Sequence, residues 1–251
     1  MQITFTDFHF IGASYNYLNA QISLLRNPVY GPIALNAYEV NSAQFYDFSK
    51  VVHSFDRKLS VPRLSSIHSD LLKDIILSNV STSIGQRMRP YIDTVFKYSE
   101  KNQLDPIWVL SVIWVESHFK PQALSHVGAA GLMQIMPKTG VFLNGLLKTK
   151  LPLKVSNAIS YDPVRNIELG SMYLKKLLKR FSGNYTHATV AYNMGPSYTM
   201  RRLRAAKPVG ERNRYLDKVN RAYSRLSKPL RSYLQFQTEI KNLEINHFAT
   251  R

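Results

Sequence analysis

An apolar run that follows a helix start signal constrains the fold of this chain more than any other feature. Asp105 can cap a helix N-terminus, and Pro106 suits the first helical position because its missing amide hydrogen is not needed there. Residues 107–110 and 112–115 are all apolar, and they cover every side of a helix. Their β-branched members also suit a strand, but the cap and the length favour a helix. We therefore predict a buried central helix that ends near Phe119.

Glu116 directly follows this apolar run. Desolvation and the negative end of the helix dipole both disfavour its ionised form, so we expect a raised pKa. A glutamate that keeps its proton near neutral pH is the acid that glycosidic cleavage requires. By itself this position fits a salt-bridged or snorkelling glutamate better, and further motifs are needed to favour catalysis.

The composition limits the chemistry and suggests a polyanionic partner. The 251 residues suit one compact domain with an extension, and the absence of cysteine excludes disulfides, thiolate metal sites and a cysteine nucleophile. Lysine and arginine number 33 against 16 acidic residues. Nucleic acid is the first partner to consider, but no Cys/His finger or RNP-like aromatic pattern accompanies the charge. Cell-wall polymers with free peptide carboxylates fit it equally well.

The rest of the chain predicts a mainly α-helical fold, without strand alternation or internal repeats. Residues 1–85 are aromatic-rich and carry no motif with an assignable chemistry, so we interpret them as a mostly helical N-terminal extension of unknown role. Helical spacing or start signals predict further helices at residues 69–79, 90–98, 162–183, 187–193, 214–223 and 233–243.

No membrane-spanning or export segment is expected from the sequence. The stretch Met1–Ser14 contains Asp7 and His9 within its apolar run and lacks a basic leader, so it does not resemble a signal peptide. Either none exists or it was removed. No run of eighteen apolar residues occurs, which predicts that no transmembrane helix forms.

Four ordered motifs carry a family resemblance. They are Glu116-Ser117, GAAGLMQIMP at 128–137, AYNMGP at 191–196 and YLDKV at 215–219. Together they resemble the catalytic domain of the soluble lytic transglycosylase (SLT) family, which belongs to the lysozyme-like superfamily. The resemblance covers roughly residues 88–225. It implies a lysozyme-like helical domain with a saccharide groove that acts on strands of alternating N-acetylglucosamine and N-acetylmuramic acid.

The first two motifs contain four candidate site residues. The resemblance implies that Glu116 is the sole catalytic acid and base, that Ser117 contacts the muramoyl substrate and that Met133 lines the groove. Packing in the core is the commoner use of a methionine and stays open for Met133. Gln134 offers both a donor and an acceptor to a sugar, and the glycines at 128 and 131 permit tight turns beside it.

The last two motifs contain three more candidates. The resemblance implies that Tyr192 and Asn193 position the glutamate and the acetamido group of the substrate, although Tyr192 can also bury its ring in the core. It further implies that the hydroxyl of Tyr215 reaches the catalytic carboxyl. For the other tyrosines, including Tyr198 and Tyr223, packing or surface stacking is expected.

A single glutamate suffices for the reaction that the resemblance implies. The 2-acetamido oxygen of the sugar attacks the anomeric carbon, so the protein only has to supply a proton and retrieve it. The 6-hydroxyl of the same muramoyl residue then closes on that carbon and leaves a 1,6-anhydro end. This is a lyase reaction on the MurNAc-GlcNAc β-1,4 bond of peptidoglycan, and it implies no metal and no organic cofactor.

Two other functions remain open from the sequence. A goose-type lysozyme-like hydrolase would share the fold but would direct water with additional carboxylates, for which Asp93, Asp105 and Asp162 are the nearest candidates. Asp105 and Asp162 are better interpreted as helix caps. The other possibility is a non-catalytic basic protein that binds peptidoglycan or nucleic acid.

The resemblance also predicts the domain organisation and the location of the protein. Residues 1–85 form the extension, residues 86–225 the catalytic domain and residues 226–251 a C-terminal helical tail. The expected partners are peptidoglycan strands and an anionic cell-wall surface, with no specific nucleic acid. The substrate places the protein in the periplasm or cell envelope.

Overall fold

The computed structural model describes residues 69–147 and 162–249, and these residues form a mainly α-helical fold, as predicted. Within them no β-strand occurs, and the extended pairing consists of two isolated bridges that join Ala130 to Leu124 and to Ile135. The helices are α1 (Ser69–Ser78), α2 (Thr82–Met88), α3 (Ile92–Asn102), α4 (Pro106–Ser117), α5 (Pro137–Gly145), α6 (Pro163–Arg180), α7 (Tyr185–Met194), α8 (Pro196–Arg204) and α9 (Arg214–Ala249).

Helix α4 is the buried central helix that the sequence predicts. Its residues from Pro106 to Ile113 are all buried, and α3 and α9 pack against it. Asp105 caps its first turn, because the carboxylate accepts a 2.8 Å hydrogen bond from the backbone N–H of Ile107. The helix ends at Ser117, because His118 adopts a left-handed conformation with φ 52°.

Helix α6 supports the opposite side of the fold. Asp162 caps it by accepting a 2.9 Å hydrogen bond from the N–H of Arg165, and Pro163 follows at the first helical position. This confirms the predicted start signal. The helix packs on α3, α5 and α7, so it connects the central layer to the segments that carry the second and third motifs.

Helix α9 is one continuous element from Arg214 to Ala249 with Pro229 inside it. The prediction of two shorter helices at 214–223 and 233–243 is therefore wrong. A proline in a helix removes one backbone hydrogen bond and favours a break. Here the apolar stripe continues on both sides of it, with Val219, Leu226 and Leu230 all buried in the core, so packing holds the helix together.

The core extends past both predicted domain boundaries. Leu72 and Ile76 of α1 are fully buried, and α1 packs on α9, so residues of the predicted extension share one core with α4 and α9. The boundary predicted at residues 225 and 226 falls inside α9. Residues 1–68 of the predicted extension lie outside the described residues.

No helix in the described ranges has both the length and the apolar character needed to cross a membrane.

Candidate active site

Glu116 lies in the last turn of α4, where the central helix reaches the protein surface. Residues 106–113 of the helix are buried, whereas Trp114, Val115 and Glu116 are only partly buried. After Ser117 ends the helix, His118 and Phe119 take left-handed φ values of 52° and 60°, and the ring of Phe119 is buried. The chain therefore turns sharply away from the helix axis and leaves the carboxyl group at the helix end.

Tyr215 in the first turn of α9 holds this carboxyl group. Its hydroxyl donates a 2.6 Å hydrogen bond to Oε1 of Glu116, which is the contact expected from the resemblance. Two turns further along α9, the hydroxyl of Tyr223 donates a 2.6 Å bond to the carboxylate of Asp105. Tyr215 contacts the end of α4 and Tyr223 contacts its start, so the two helices run antiparallel. A hydrogen bond between a tyrosine and a carboxylate joins them at each end of α4.

Burial raises the pKa of Glu116 from 4.5 to about 7, and the hydrogen bond from Tyr215 lowers it by less. Burial dominates because water solvates a carboxylate far better than the apolar end of α4 does. No second carboxylate of the described residues contributes to the shift. Near pH 7 the protonated and the ionised form of Glu116 are therefore both populated, so this group can donate a proton or accept one.

Tyr192 lies close to Glu116 but bonds to a different group. Its hydroxyl donates a 2.7 Å hydrogen bond to the backbone carbonyl of Met133. Burial raises its pKa well above 10, and the nearby charges of Glu116 and Tyr173 raise it further. Tyr192 thus joins α7 to the loop of the second motif, while the neighbouring side chain of Asn193 is exposed and available to a ligand.

The loop at residues 118–136 is rigidly held beside these groups. Gly128 and Gly131 have φ values of 85° and 80°, which a glycine adopts without strain and other residues rarely do. The side-chain amide of Gln134 donates to the carbonyls of Ala123 and Gly131 at 2.9 and 3.0 Å. Its amide oxygen has no partner among the described residues, so it can accept a hydrogen bond from a sugar hydroxyl.

Ser117 and Met133, which are two of the predicted substrate contacts, mainly contact other parts of the protein. Ser117 is 5% exposed, and its hydroxyl donates a 3.1 Å bond to the carbonyl of Ile113. The side chain of Met133 is fully buried and packs against Gly170 of α6, so it presents no surface to a ligand in this structure. Met133 participates instead through its backbone, whose carbonyl accepts the bond from Tyr192.

Three residues of the site were not singled out from the sequence. Buried Asn166 of α6 accepts a 2.7 Å bond from the N–H of Met133 and donates a 3.0 Å bond to the carbonyl of Ala130, which fixes the loop. Gly170 gives Met133 the space to approach α6. The ring of Tyr173 lies 5.5 Å from that of Tyr192. Their one sequence signal is helical spacing on α6, and it does not distinguish them from core residues.

The described residues contain no cluster of three or more histidine or acidic side chains that could hold a metal ion. The three aspartates that are the nearest candidates for a hydrolytic mechanism make other contacts. Asp105 and Asp162 cap helices, and Asp93 is an exposed residue that pairs with Lys73 at 2.5 Å.

Comparison with known families identifies the domain. The family model described as Transglycosylase SLT domain matches residues 93–233, which is more than half of the chain. The chain belongs to the SLT family. The match begins on α3 and ends within α9, so it contains the whole arrangement around Glu116.

Curated relatives share a limited part of their length with this SLT chain. It is 27% identical over 181 residues to membrane-bound lytic murein transglycosylase C of Actinobacillus pleuropneumoniae serotype 5b (strain L20), covering 59% of this chain and 48% of the relative. It is 32% identical over 106 residues to the soluble lytic murein transglycosylase of Escherichia coli (strain K12), covering 42% and 16% respectively. The chain thus spans about half the length of the former and a sixth of the latter.

A solved structure has the same fold. The crystal structure of an inactive mutant of the lytic transglycosylase Slt from Pseudomonas aeruginosa superposes with a TM-score of 0.51. It is 23% identical in sequence, and the match covers 64% of this chain and 28% of that one. This similarity confirms the predicted lysozyme-like helical fold of the SLT family.

Proposed function

We propose that this SLT domain is a peptidoglycan lytic transglycosylase that cleaves the β-1,4 bond between N-acetylmuramic acid and N-acetylglucosamine without water. The observation that carries the proposal is the Glu116 carboxyl, which has a pKa near 7 and accepts a hydrogen bond from Tyr215. Relatives named lytic murein transglycosylases support the same substrate class.

In the first step Glu116 acts as the acid. Its carboxyl proton passes to the glycosidic oxygen of the leaving N-acetylglucosamine, and the bond between that oxygen and the muramoyl C1 breaks. The carbonyl oxygen of the muramoyl 2-acetamido group bonds to C1 and takes up the developing positive charge. Asn193, Gln134 and Ser117 are the candidates to orient the sugar, and Asn193 is the most exposed of them.

In the second step the same group acts as the base. The carboxylate of Glu116 takes the proton of the muramoyl 6-hydroxyl, whose oxygen forms a bond to C1 and displaces the acetamido oxygen. The product is a 1,6-anhydromuramoyl end, Glu116 is protonated again and no water is consumed. The hydrogen bond from Tyr215 stabilises the carboxylate between the steps.

The surroundings of Glu116 favour this route over hydrolysis. A hydrolase with two carboxyl groups places the second one within about 5–10 Å of the acid to act on water or on C1. In residues 69–147 and 162–249 no carboxylate influences the titration of Glu116. The 6-hydroxyl belongs to the bound sugar, and its effective concentration therefore exceeds that of a diffusing nucleophile.

Mass spectrometry of fragments released from purified peptidoglycan tests the proposal. We expect the wild type to release anhydromuramoyl ends and Glu116→Gln to release none. Glu211→Gln, at an exposed residue between α8 and α9, is the matched control and should retain activity. Reducing muramoyl ends would identify a hydrolase, and absence of fragments from the wild type would favour a binding protein.

We further propose that the domain acts in the cell envelope, where its substrate lies. The excess of 17 positive charges would concentrate it on the anionic cell wall through an electrostatic attraction that weakens with salt. Binding to purified sacculi should therefore fall as the salt concentration rises. Equal binding at low and high salt would contradict this role of the charge.

A further inference from the structure

The solvent side of α9 carries a line of cations that the proposed reaction does not use. The line consists of basic side chains that are all exposed, Arg214, Lys218, Arg221, Arg225 and Lys228. They follow one another at intervals of four, three, four and three residues, which keeps them on one face of a helix. The line is about 21 Å long, at about 1.5 Å of rise per residue. We call it the α9 stripe.

The charges of the α9 stripe are not neutralised by any carboxylate in residues 69–147 and 162–249. The ion pairs of these ranges involve the cations Lys73, Lys101 and Arg165, and none includes a residue of the stripe. Asp217 is the one acidic residue within the span of the stripe, and it pairs with none of the five cations. An anion that approaches this side of α9 is therefore attracted by all five.

Stability of the helix does not account for the α9 stripe. Arg214 and Lys218 lie in the first two turns of α9, where the positive end of the helix dipole disfavours a cation. Like charges three or four residues apart repel each other, and the stripe contains four such pairs in succession. An exposed face stabilised by its own ion pairs alternates the two signs of charge. The stripe therefore destabilises α9, and a bound anion would relieve the repulsion.

The shape and composition of the α9 stripe favour a flat anionic surface. The opposite face of α9 packs on α4 and α1, so the stripe lies on the convex outside of the fold. The exposed large apolar side chains of the described residues lie at positions 124–203, so none belongs to α9. Protein interfaces bury apolar residues and contain few charges at their centre, which disfavours a protein partner.

Among polyanions, a lipid bilayer fits the α9 stripe better than a nucleic acid does. The headgroup phosphates of an anionic bilayer form a flat layer that all five cations can contact at once. The backbone of a nucleic acid duplex winds around its axis, so it would meet only part of a straight line of this length. Three of the five cations are arginines, whose guanidinium group can bind a phosphate through two hydrogen bonds.

We propose that the α9 stripe is a docking surface for an anionic phospholipid bilayer. Its cations contact headgroup phosphates, and no apolar side chain of the stripe enters the acyl layer. The stripe begins one residue before Tyr215, so docking also holds the end of α9 that contacts Glu116. The inference goes beyond the proposed reaction and does not depend on it.

Sedimentation of the full chain with lipid vesicles tests the docking surface. One kind of vesicle contains equal parts of phosphatidylglycerol and phosphatidylcholine, and the other contains phosphatidylcholine alone. We expect the wild type to bind the first kind and not the second. The variant Lys218→Gln/Arg221→Gln/Lys228→Gln should bind the anionic vesicles roughly a hundredfold more weakly, because each cation near such a surface contributes about fivefold. Glutamine suits a helix about as well as lysine or arginine, so circular dichroism should show an unchanged fold.

Lys176→Gln/Lys179→Gln/Arg180→Gln is the matched control. It removes the same number of charges from exposed positions of α6, which packs on α3, α5 and α7. Its affinity for the anionic vesicles should stay within about threefold of the wild type at about 0.1 M salt, where charges more than about 10 Å from the surface are screened. Equal weakening in the two triple variants would reduce the effect to net charge and overturn the docking surface. Equal binding of the wild type to both kinds of vesicle would overturn it too.

Tryptophan fluorescence locates the contact. The chain has two tryptophans, and Trp108 is fully buried in the core. Trp114 is partly exposed, and the guanidinium carbon of Arg225 lies 5.7 Å from the centre of its ring. Anionic vesicles should therefore protect Trp114 from quenching by acrylamide. Trp114→Phe should lose this protection and still sediment with the vesicles. Sedimentation of the wild type without protection of Trp114 would place the contact elsewhere and overturn the assignment.

A double-stranded oligonucleotide tests the competing partner. It is added to the vesicle-bound wild type at an equal concentration of phosphate groups. We expect it to displace less than half of the bound protein, because it contacts only part of the α9 stripe. Complete displacement, together with weaker oligonucleotide binding by the stripe variant, would assign the stripe to nucleic acid and overturn the lipid proposal.

Discussion

Replacing Glu116 with glutamine tests the electrostatics of the site through stability, independently of any substrate. Burial raises the pKa of this carboxyl from 4.5 to about 7 in the folded protein. Between these two pH values the folded state binds more protons than the unfolded state, so the free energy of unfolding falls as pH rises. Glutamine has the same shape, stays neutral and still accepts the hydrogen bond from Tyr215, so it removes this loss.

The size of the effect follows from the pKa difference. A change of 7 − 4.5 = 2.5 corresponds to about 3 kcal/mol at about 1.36 kcal/mol per pKa unit. Above pH 8 the Glu116→Gln variant should be more stable than the wild type by up to that amount. The melting temperature should then rise by roughly 6–12 °C, at about 2–4 °C per kcal/mol for a protein of this size. Below pH 4.5 the two proteins should melt together.

Thermal unfolding followed by circular dichroism at half-unit steps from pH 4 to pH 9 measures this difference. Other titrating groups affect both proteins equally, so the difference in melting temperature isolates Glu116. Glu211→Gln is the control and should show no comparable rise across the same window. The reasoning is refuted if the Glu116→Gln difference is constant with pH, or if it grows as the pH falls.

Three further substitutions examine the groups around the carboxyl. Tyr215→Phe removes the hydrogen bond that lowers the pKa of Glu116, so the alkaline limb of the pH profile of kcat/KM should move up by roughly one pH unit. In the control variant Tyr198→Phe the same limb should stay where it is in the wild type. Gly170→Ala would put a Cβ 2.8 Å from Cε and 2.9 Å from Cβ of a buried methionine, and urea unfolding should show a loss of about 1–3 kcal/mol. Gly140→Ala, whose Cβ would meet its nearest atom at 3.7 Å, should be neutral or stabilising by up to about 1 kcal/mol. Asn166→Ala leaves the buried N–H of Met133 unpaired, while the carbonyl of Ala130 keeps its 3.0 Å bond from the N–H of Ile135. The variant should therefore cost about 1–3 kcal/mol in the same measurement, and no measurable loss would show that the loop does not depend on Asn166.

The pairing of α4 with α9 shows how the Glu116 carboxyl can be held in place and still be open to the proposed reaction. Tyr223 bonds to the buried carboxylate of Asp105 at the start of α4, and Tyr215 bonds to Glu116 at its end. The first bond lies in the core and serves the fold. The second lies at the partly exposed end, where the remaining carboxyl oxygen has no partner among the described residues and can exchange a proton with a substrate.

Local signals in the sequence were enough to predict several helices and the candidate acid. The Asp-Pro pairs at 105–106 and 162–163 start α4 and α6 in the structure, because capping depends on residues that are neighbours in the chain. The apolar run predicted the burial of α4, and the position of Glu116 after it predicted the raised pKa. Pro137 and Pro196, at the first positions of α5 and α8, carry a similar start signal.

The long-range contacts could not be derived in this way. Tyr215 and Glu116 are 99 residues apart, and from the motifs alone their contact was an implication of family resemblance. The continuity of α9 through Pro229 depends on a core built from several helices, so helical spacing along the chain predicted two shorter helices with the wrong ends. Tyr192 was expected to act on the glutamate, but its hydroxyl bonds to Met133 because the loop packs against α7.

The sequence by itself thus determined the helical class, the buried central helix and the carboxyl group at its end, since each depends on periodicity or on adjacent residues. Only the tertiary structure decided that Met133 faces the core, that α9 continues through Pro229 and that Tyr192 bonds to the carbonyl of Met133. The physical reason is that these features arise from packing between helices distant in the chain, where burial and hydrogen bonding override local preference.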